Sequence, residues 1–103
     1  MEVFIENEYL ADIYEGRELQ CKPKFQQDVI ARFIITVNIL RAVTRIEGLY
    51  QINSLNYDKL LGNKAGYSSV RVTKQYRLEF LEVANKEGQI AKLIITNLSN
   101  HYR

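Results

Sequence analysis

The amino-acid sequence predicts an α+β domain in which helices come first and an antiparallel sheet follows. Two observations carry that reading. Phe25, Val29, Phe33, Val37 and Leu40 recur at three- and four-residue intervals, the spacing of one face of a helix. After Gly48 the period changes to two: Val70 and Val72 fall on one side of a strand, with Tyr67, Ser69, Arg71 and Thr73 on the other.

Taken in order, Glu2 to Ile5 alternates and is read as a short edge strand. Glu8 to Tyr14 places Tyr9, Leu10, Ile13 and Tyr14 at helical spacing, and Gly16 supplies a stop. Pro23, the single proline, is compatible with a first helical turn and opens a long helix predicted over 23–43. Ile30, Ile34 and Ile35 widen its apolar stripe, which suits packing on a sheet, and Gly48 is expected to close the helical region. The β runs are Tyr67 to Thr73, then Tyr76 onward with Tyr76, Leu78 and Phe80 on one face and Arg77 and Glu79 on the other, then Ile90 to Thr96. Thr73-Lys74-Gln75 is short enough for a hairpin connection, and Asn85-Lys86-Glu87-Gly88 reads as a second turn. Neither an internal repeat nor a linker interrupts the chain, so residues 1–103 are read as one domain.

Composition narrows the function classes. The chain has 103 residues, 47% hydrophobic and 25% charged, which suits a globular core and excludes collagen, coiled-coil rods and acidic disordered tails. No run approaches about 18 consecutive apolar residues, so no membrane span is expected. Cys21, alone, cannot form an internal disulfide, and no second thiol or nearby histidine gives it zinc-ligand spacing; a reducing, cytoplasmic setting is the expectation. The formal charge of +2 hides an asymmetry. Residues 1–58 carry 6 Lys/Arg against 9 Asp/Glu, whereas residues 59–103 carry 8 against 3. A basic second half is a hint of nucleic-acid contact.

Residue types that do chemistry are scarce. His101 is the single histidine, and no serine sits in a nucleophile motif. Asn63-Lys64-Ala65-Gly66 lacks the glycine spacing of a phosphate-cradling loop. No cofactor or metal is expected. What remains is Lys59, Lys64, Arg71, Lys74 and Arg77 interleaved with Tyr57, Tyr67 and Tyr76. Such a pattern is either a solvated sheet face with tyrosines packed at its edge, or a surface where cations hold phosphates and rings stack on unpaired bases. Arg71 is the strongest member, because Val70 and Val72 commit their side to the core and turn Arg71 outward from a strand read as central.

The stretch Leu60-Leu61-Gly62-Asn63-Lys64-Ala65-Gly66-Tyr67-Ser68-Ser69-Val70-Arg71-Val72 resembles a pattern of the RelE/ParE superfamily of bacterial toxins. Gln75-Tyr76-Arg77-Leu78-Glu79-Phe80 is similar to the following strand of its HigB (plasmid maintenance killer) branch, and Asn97-Leu98-Ser99-Asn100-His101-Tyr102 to its last strand and tail. The resemblance implies two N-terminal helices packed on a twisted antiparallel sheet of about four or five strands. It also implies a toxin of a type II toxin–antitoxin system, a metal-independent endoribonuclease that cuts mRNA on the ribosome. The reaction would be attack of a ribose 2′-OH on the adjacent phosphate. Arg71 and Arg77 would then stabilise the phosphorane, with His101 and Tyr102 as acid, base or stacking groups. Lys59, Lys64, Lys74, Tyr67 and Tyr76 would bind RNA. Leu61 stands where the pattern has a lysine, which keeps open a ParE-like inhibitor of DNA gyrase or a chain that only binds its antitoxin. The implied partner is a HigA-like helix-turn-helix antitoxin, with DNA contacted only through that partner.

Overall fold

The computed structural model describes residues 1–19 and 24–100. Pro23 and Cys21 lie outside the described residues, as do His101 and Tyr102. The chain runs β1 (Glu2–Ile5), α1 (Glu8–Glu15), α2 (Gln27–Ala42), α3 (Glu47–Tyr50), β2 (Asp58–Lys59), β3 (Tyr67–Arg71), β4 (Tyr76–Ala84) and β5 (Ile90–Asn100). The five strands form one sheet in the order β1-β5-β4-β3-β2. Helices followed by hairpin-connected strands make this an α+β fold.

Local chemistry explains the element ends. The Asn7 side chain accepts from the Leu10 amide at 3.1 Å and caps α1. Gly16, at φ 72°, ends it in the left-handed conformation that glycine adopts without strain. α2 buries Val29, Phe33, Val37 and Leu40, the predicted stripe. Its described start is Gln27, so Phe25 packs on the core from the segment ahead of the helix, and Ile35 points away from the core at 46% exposure. Thr36 is also buried; its hydroxyl donates to the Arg32 carbonyl at 2.7 Å, which satisfies it within the helix. Gly48 does not close the helical region. α2 already ends at Ala42, where Val43 turns extended, and Gly48 sits inside α3 against the Val43 side chain.

The sheet departs from a wholly antiparallel one at a single pairing. β2, β3, β4 and β5 are antiparallel in succession, but β1 joins β5 in parallel, with Val3 opposite Leu93 and Ile5 opposite Ile95. A parallel neighbour requires a long crossover, and here everything from α1 to β4 supplies it. The β3–β4 connection is stabilised by the Thr73 hydroxyl, which accepts from the Gln75 and Tyr76 amides. Asn85 does the same for the next turn, accepting from Glu87 and Gln89 before Gly88 at φ 83°.

One face of the sheet makes the core. Val3, Val70, Val72, Leu78, Phe80, Leu93, Ile95 and Leu98 meet Leu10, Ile13, Val29, Phe33, Val37, Leu40 and Leu49 from the helices. Phe33 and Phe80 are completely inaccessible to solvent. The alternate residues of the strands therefore face away from the helices. Phe80→Ala should lower stability by about 3–5 kcal/mol, measured by urea denaturation, because the cavity lies beneath a close-packed helix.

Candidate functional site

The outward face of β3 and β4 assembles the polar constellation. In the register, Ser69 pairs with Glu79 and Arg71 with Arg77, so all four project from the same side. Asp58 of β2 lies opposite Ser69, and Ser99 of β5 lies opposite Arg77. Two guanidinium groups therefore stand side by side at the end of the β3–β4 hairpin, bracketed by a carboxylate and hydroxyls.

Arg77 is held firmly. Its Nε donates to Ser69 Oγ at 2.9 Å and its Nη2 to the Ser69 carbonyl at 3.2 Å. A third bond runs from Nη2 to the Asn56 carbonyl, which is presented there because Asn56 adopts the left-handed conformation at φ 45°. Burial lowers the Arg77 pKa; the Asp58 carboxylate opposes that shift and the neighbouring Arg71 charge adds to it. Among the described residues neither arginine makes an ion pair with a carboxylate. Like charges placed directly opposite each other across a ladder repel, so this pair lowers stability unless an anion sits between them.

Glu79 is the acidic counterpart and the part the sequence concealed. Its side chain is 4% exposed, yet it carries a full ion pair: Lys64 Nζ lies 2.8 Å from Oε2 and 3.1 Å from Oε1. Ser99 Oγ donates to Oε2 at 2.8 Å. Burial alone would push this carboxyl up, but the bonds from Lys64 and Ser99 outweigh it and hold the group below its ordinary value. Alternation assigned Glu79 to the outward face correctly. Lys64 reaches its carboxylate from the 60–66 loop, which no periodicity reports.

The remaining predicted residues separate. Tyr76 lies on the helix side of β4, edge-on to Phe25 with ring centroids 5.4 Å apart, and so does not share a face with Arg71. Tyr67 does share that face, four residues along β3 and opposite Leu81. Lys59 is exposed on β2, opposite Ser68, and Lys74 is exposed in the β3–β4 turn. Lys64 is drawn to Glu79, as above. His101 and Tyr102 fall outside the described residues, directly after the last residue of β5. Arg71 itself is not on a central strand: β2 flanks β3 only at Ser68 and Ser69, so Arg71 stands near the sheet edge.

Tyr57 also serves structure. Its hydroxyl donates to Glu82, and Ser68 Oγ donates to the same carboxylate at 2.8 Å. Burial and the Glu82 bond raise its pKa above the ordinary phenol value. Its ring packs against Tyr50 and Phe80 on the helix side. Asp58, Asn56, Ser69 and Glu79 are the site residues that sequence reasoning passed over. An acidic residue amid an alternating strand of Leu78 and Phe80 was the available signal for Glu79. Among the described residues no group of three or more His, Cys, Asp or Glu side chains could hold a metal ion, and no helix is long and apolar enough to cross a membrane.

No protein-family model matches this chain, and no curated protein matches it. Solved structures do. The chain is similar to a YoeB/ParE toxin from Agrobacterium tumefaciens, at 23% identity over 99% of this chain and 100% of that one, with a TM-score of 0.56. It is similar to YafQ from E. coli strain BL21(DE3), at 10% identity over 97% and 92% of the two chains, with a TM-score of 0.61. A YoeB–YefM complex from Staphylococcus aureus gives 18% identity over 99% and 98%, with a TM-score of 0.56. The fold is thus the one these toxin chains share, matched along nearly the full length of both partners.

The Glu79 pair has a pH signature. A carboxyl whose folded pKa lies below its unfolded value adds stability above the ordinary carboxylate range, and that stability is lost as pH falls through the folded value. The difference in urea midpoint between the wild-type chain and Glu79→Gln should therefore be greatest near neutrality and shrink steadily below about pH 4.

Proposed function

We propose that this chain is the toxin of a type II toxin–antitoxin system and acts as an endoribonuclease on mRNA at the ribosome. The observation that carries the reading is the Arg71–Arg77 pair, two guanidinium groups opposite each other in the register with no carboxylate paired to either among the described residues. That arrangement suits a phosphodiester, whose charge rises as it becomes a phosphorane. Asp58 is close enough to act on the Arg77 charge and is exposed, which suits a base that takes the proton of a ribose 2′-OH. The 2′ oxygen then bonds to phosphorus, the bond to the 5′ oxygen breaks, and that oxygen receives a proton, leaving a 2′,3′-cyclic phosphate. No redox partner or metal enters this balance. His101 or Tyr102, following directly on Ser99 and Asn100, are the candidates to return that proton or to stack on a base. Tyr67 offers a ring farther along the same face.

The fold similarity to YoeB and YafQ toxins supports the toxin class, and the Gln75–Phe80 run supports the HigB branch within it. The partner on that reading is a HigA-like helix-turn-helix antitoxin, which would bring the DNA contact. The complex of a similar fold with YefM makes a different antitoxin class the competing outcome. The site of action is the cytoplasm, where translating ribosomes are.

Induction of the wild-type chain should generate new 5′ ends within translated transcripts, and Arg77→Ala and Arg71→Ala should each reduce cleavage about a hundredfold or more. Cleavage that both variants leave unchanged would overturn the mechanism. A second reading, inhibition of DNA gyrase, is favoured by Leu61, 87% exposed where a lysine was expected, and by the ParE name borne by one similar structure. Loss of supercoiling by purified gyrase, without RNA cleavage, would select it.

A further inference from the structure

The 60–66 loop is attached to the sheet in an uneven way. On its N-terminal side is β2, whose ladder to β3 consists of two residue pairs, Asp58 with Ser69 and Lys59 with Ser68. That is shorter than strands that hold themselves in place. The Leu60 amide donates to the Tyr67 carbonyl of β3 at 2.9 Å, and the bonds within the loop are local: Lys64 amide to Leu61 carbonyl at 3.3 Å and Ala65 amide to Gly62 carbonyl at 3.1 Å. Asp58 is anchored on its N-terminal side, where Tyr57 bonds Ser68 and Glu82 and the Asn56 carbonyl accepts from Arg77, whereas on its C-terminal side only this short ladder follows. The further restraint on that second side is Lys64. It reaches past β3 altogether to the Glu79 carboxylate of β4, and Ser99 of β5 donates to the same oxygen. One buried carboxylate thus joins the loop to two interior strands.

We propose that the Lys64–Glu79 pair is a positioning latch. It bolts the 60–66 loop across the sheet and so completes the hold on Asp58 near Arg77, and Lys64 is engaged in that contact and not in binding RNA. A cation meant for phosphate has no reason to be held by both oxygens of a carboxylate, which occupy two of its three donors. Removing Lys64 takes away the cation that is ion-paired with a carboxylate at a 4% exposed position. The inference rests on the ribonuclease reading for its catalytic consequence, but the latch itself is a property of the loop.

The test combines kinetics with amide hydrogen exchange on Lys64→Ala, Lys64→Arg and Glu79→Gln. On mRNA bound to purified ribosomes, Lys64→Ala and Glu79→Gln should each lower kcat by roughly tenfold to a hundredfold, the cost of displacing a reacting group slightly. KM should stay within about twofold, and Lys64→Arg should recover most of the activity. The Leu60, Lys64 and Ala65 amides should exchange faster in the first and third variants. A Lys64→Ala chain whose KM rises while kcat holds would overturn the proposal, since Lys64 would then be an RNA ligand. Should Glu79→Gln not fold, Lys64→Ala alters only a half-exposed side chain and carries the test alone. If the wild-type chain cuts no RNA, the nuclease reading falls and exchange decides the latch by itself: faster exchange sustains it, unchanged exchange overturns it.

Discussion

Period-two alternation in β3, β4 and β5 can be satisfied only if something apolar covers one face of the sheet and the other is left for polar groups. α2 is that cover. Its buried stripe from Val29 to Leu40 meets Val70, Leu78, Phe80, Leu93 and Ile95, and the side chains between these have no helix over them. Each burial that fixes the core therefore also fixes what is displayed. Val70 and Val72 pointing inward oblige Arg71 to point outward, and Leu78 and Phe80 do the same for Arg77 and Glu79. A slip of one residue in register would bury the arginines and expose the phenylalanine, so hydrophobic burial determines the chemistry of the open face.

That face is not arranged for stability. Two arginines oppose each other, and a glutamate is buried nearby with a lysine brought from a distant loop. Ordinary packing would avoid both. Glu79 is paired with Lys64, while Arg71 and Arg77 are left facing one another with no carboxylate paired to either among the described residues. Ser69 and the Asn56 carbonyl hold the Arg77 guanidinium in a fixed direction without cancelling its charge. Departures from local consistency of this sort concentrate where a protein meets a ligand.

Much of this was legible in the sequence. The α+β class, the α2 stripe, the Gly16 stop, the Asn85–Gly88 turn and the outward direction of Arg71 and Arg77 all follow from spacing, because spacing reports which side of an element a residue occupies. What spacing does not report is which strand lies beside which, or what a loop covers. Hence the parallel placement of β1 was missed; the spacing did put Tyr76 on the Leu78 and Phe80 face, and grouping it with the cations as an RNA contact went against that alternation. Gly48 was read as a stop because glycine often ends helices, whereas here it lies inside α3 facing the Val43 side chain. Lys64 looked like a free cation because its partner is fifteen positions away.

The parallel union of β1 with β5 has a consequence for synthesis. Glu2 and Val3 are made well before their ladder partners, Lys92 and Leu93. At translation speeds of about 5–20 residues per second, the first strand waits several seconds or more for its neighbour. β4 waits as well, since β5 is its longest partner and brings Ser99 to Glu79 and across from Arg77. A nascent chain thus has an incomplete sheet with an unpaired strand edge until β5 leaves the exit tunnel. The open face is completed only when β5 pairs with β4, and whatever needs Ser99 beside Arg77 cannot be bound before then.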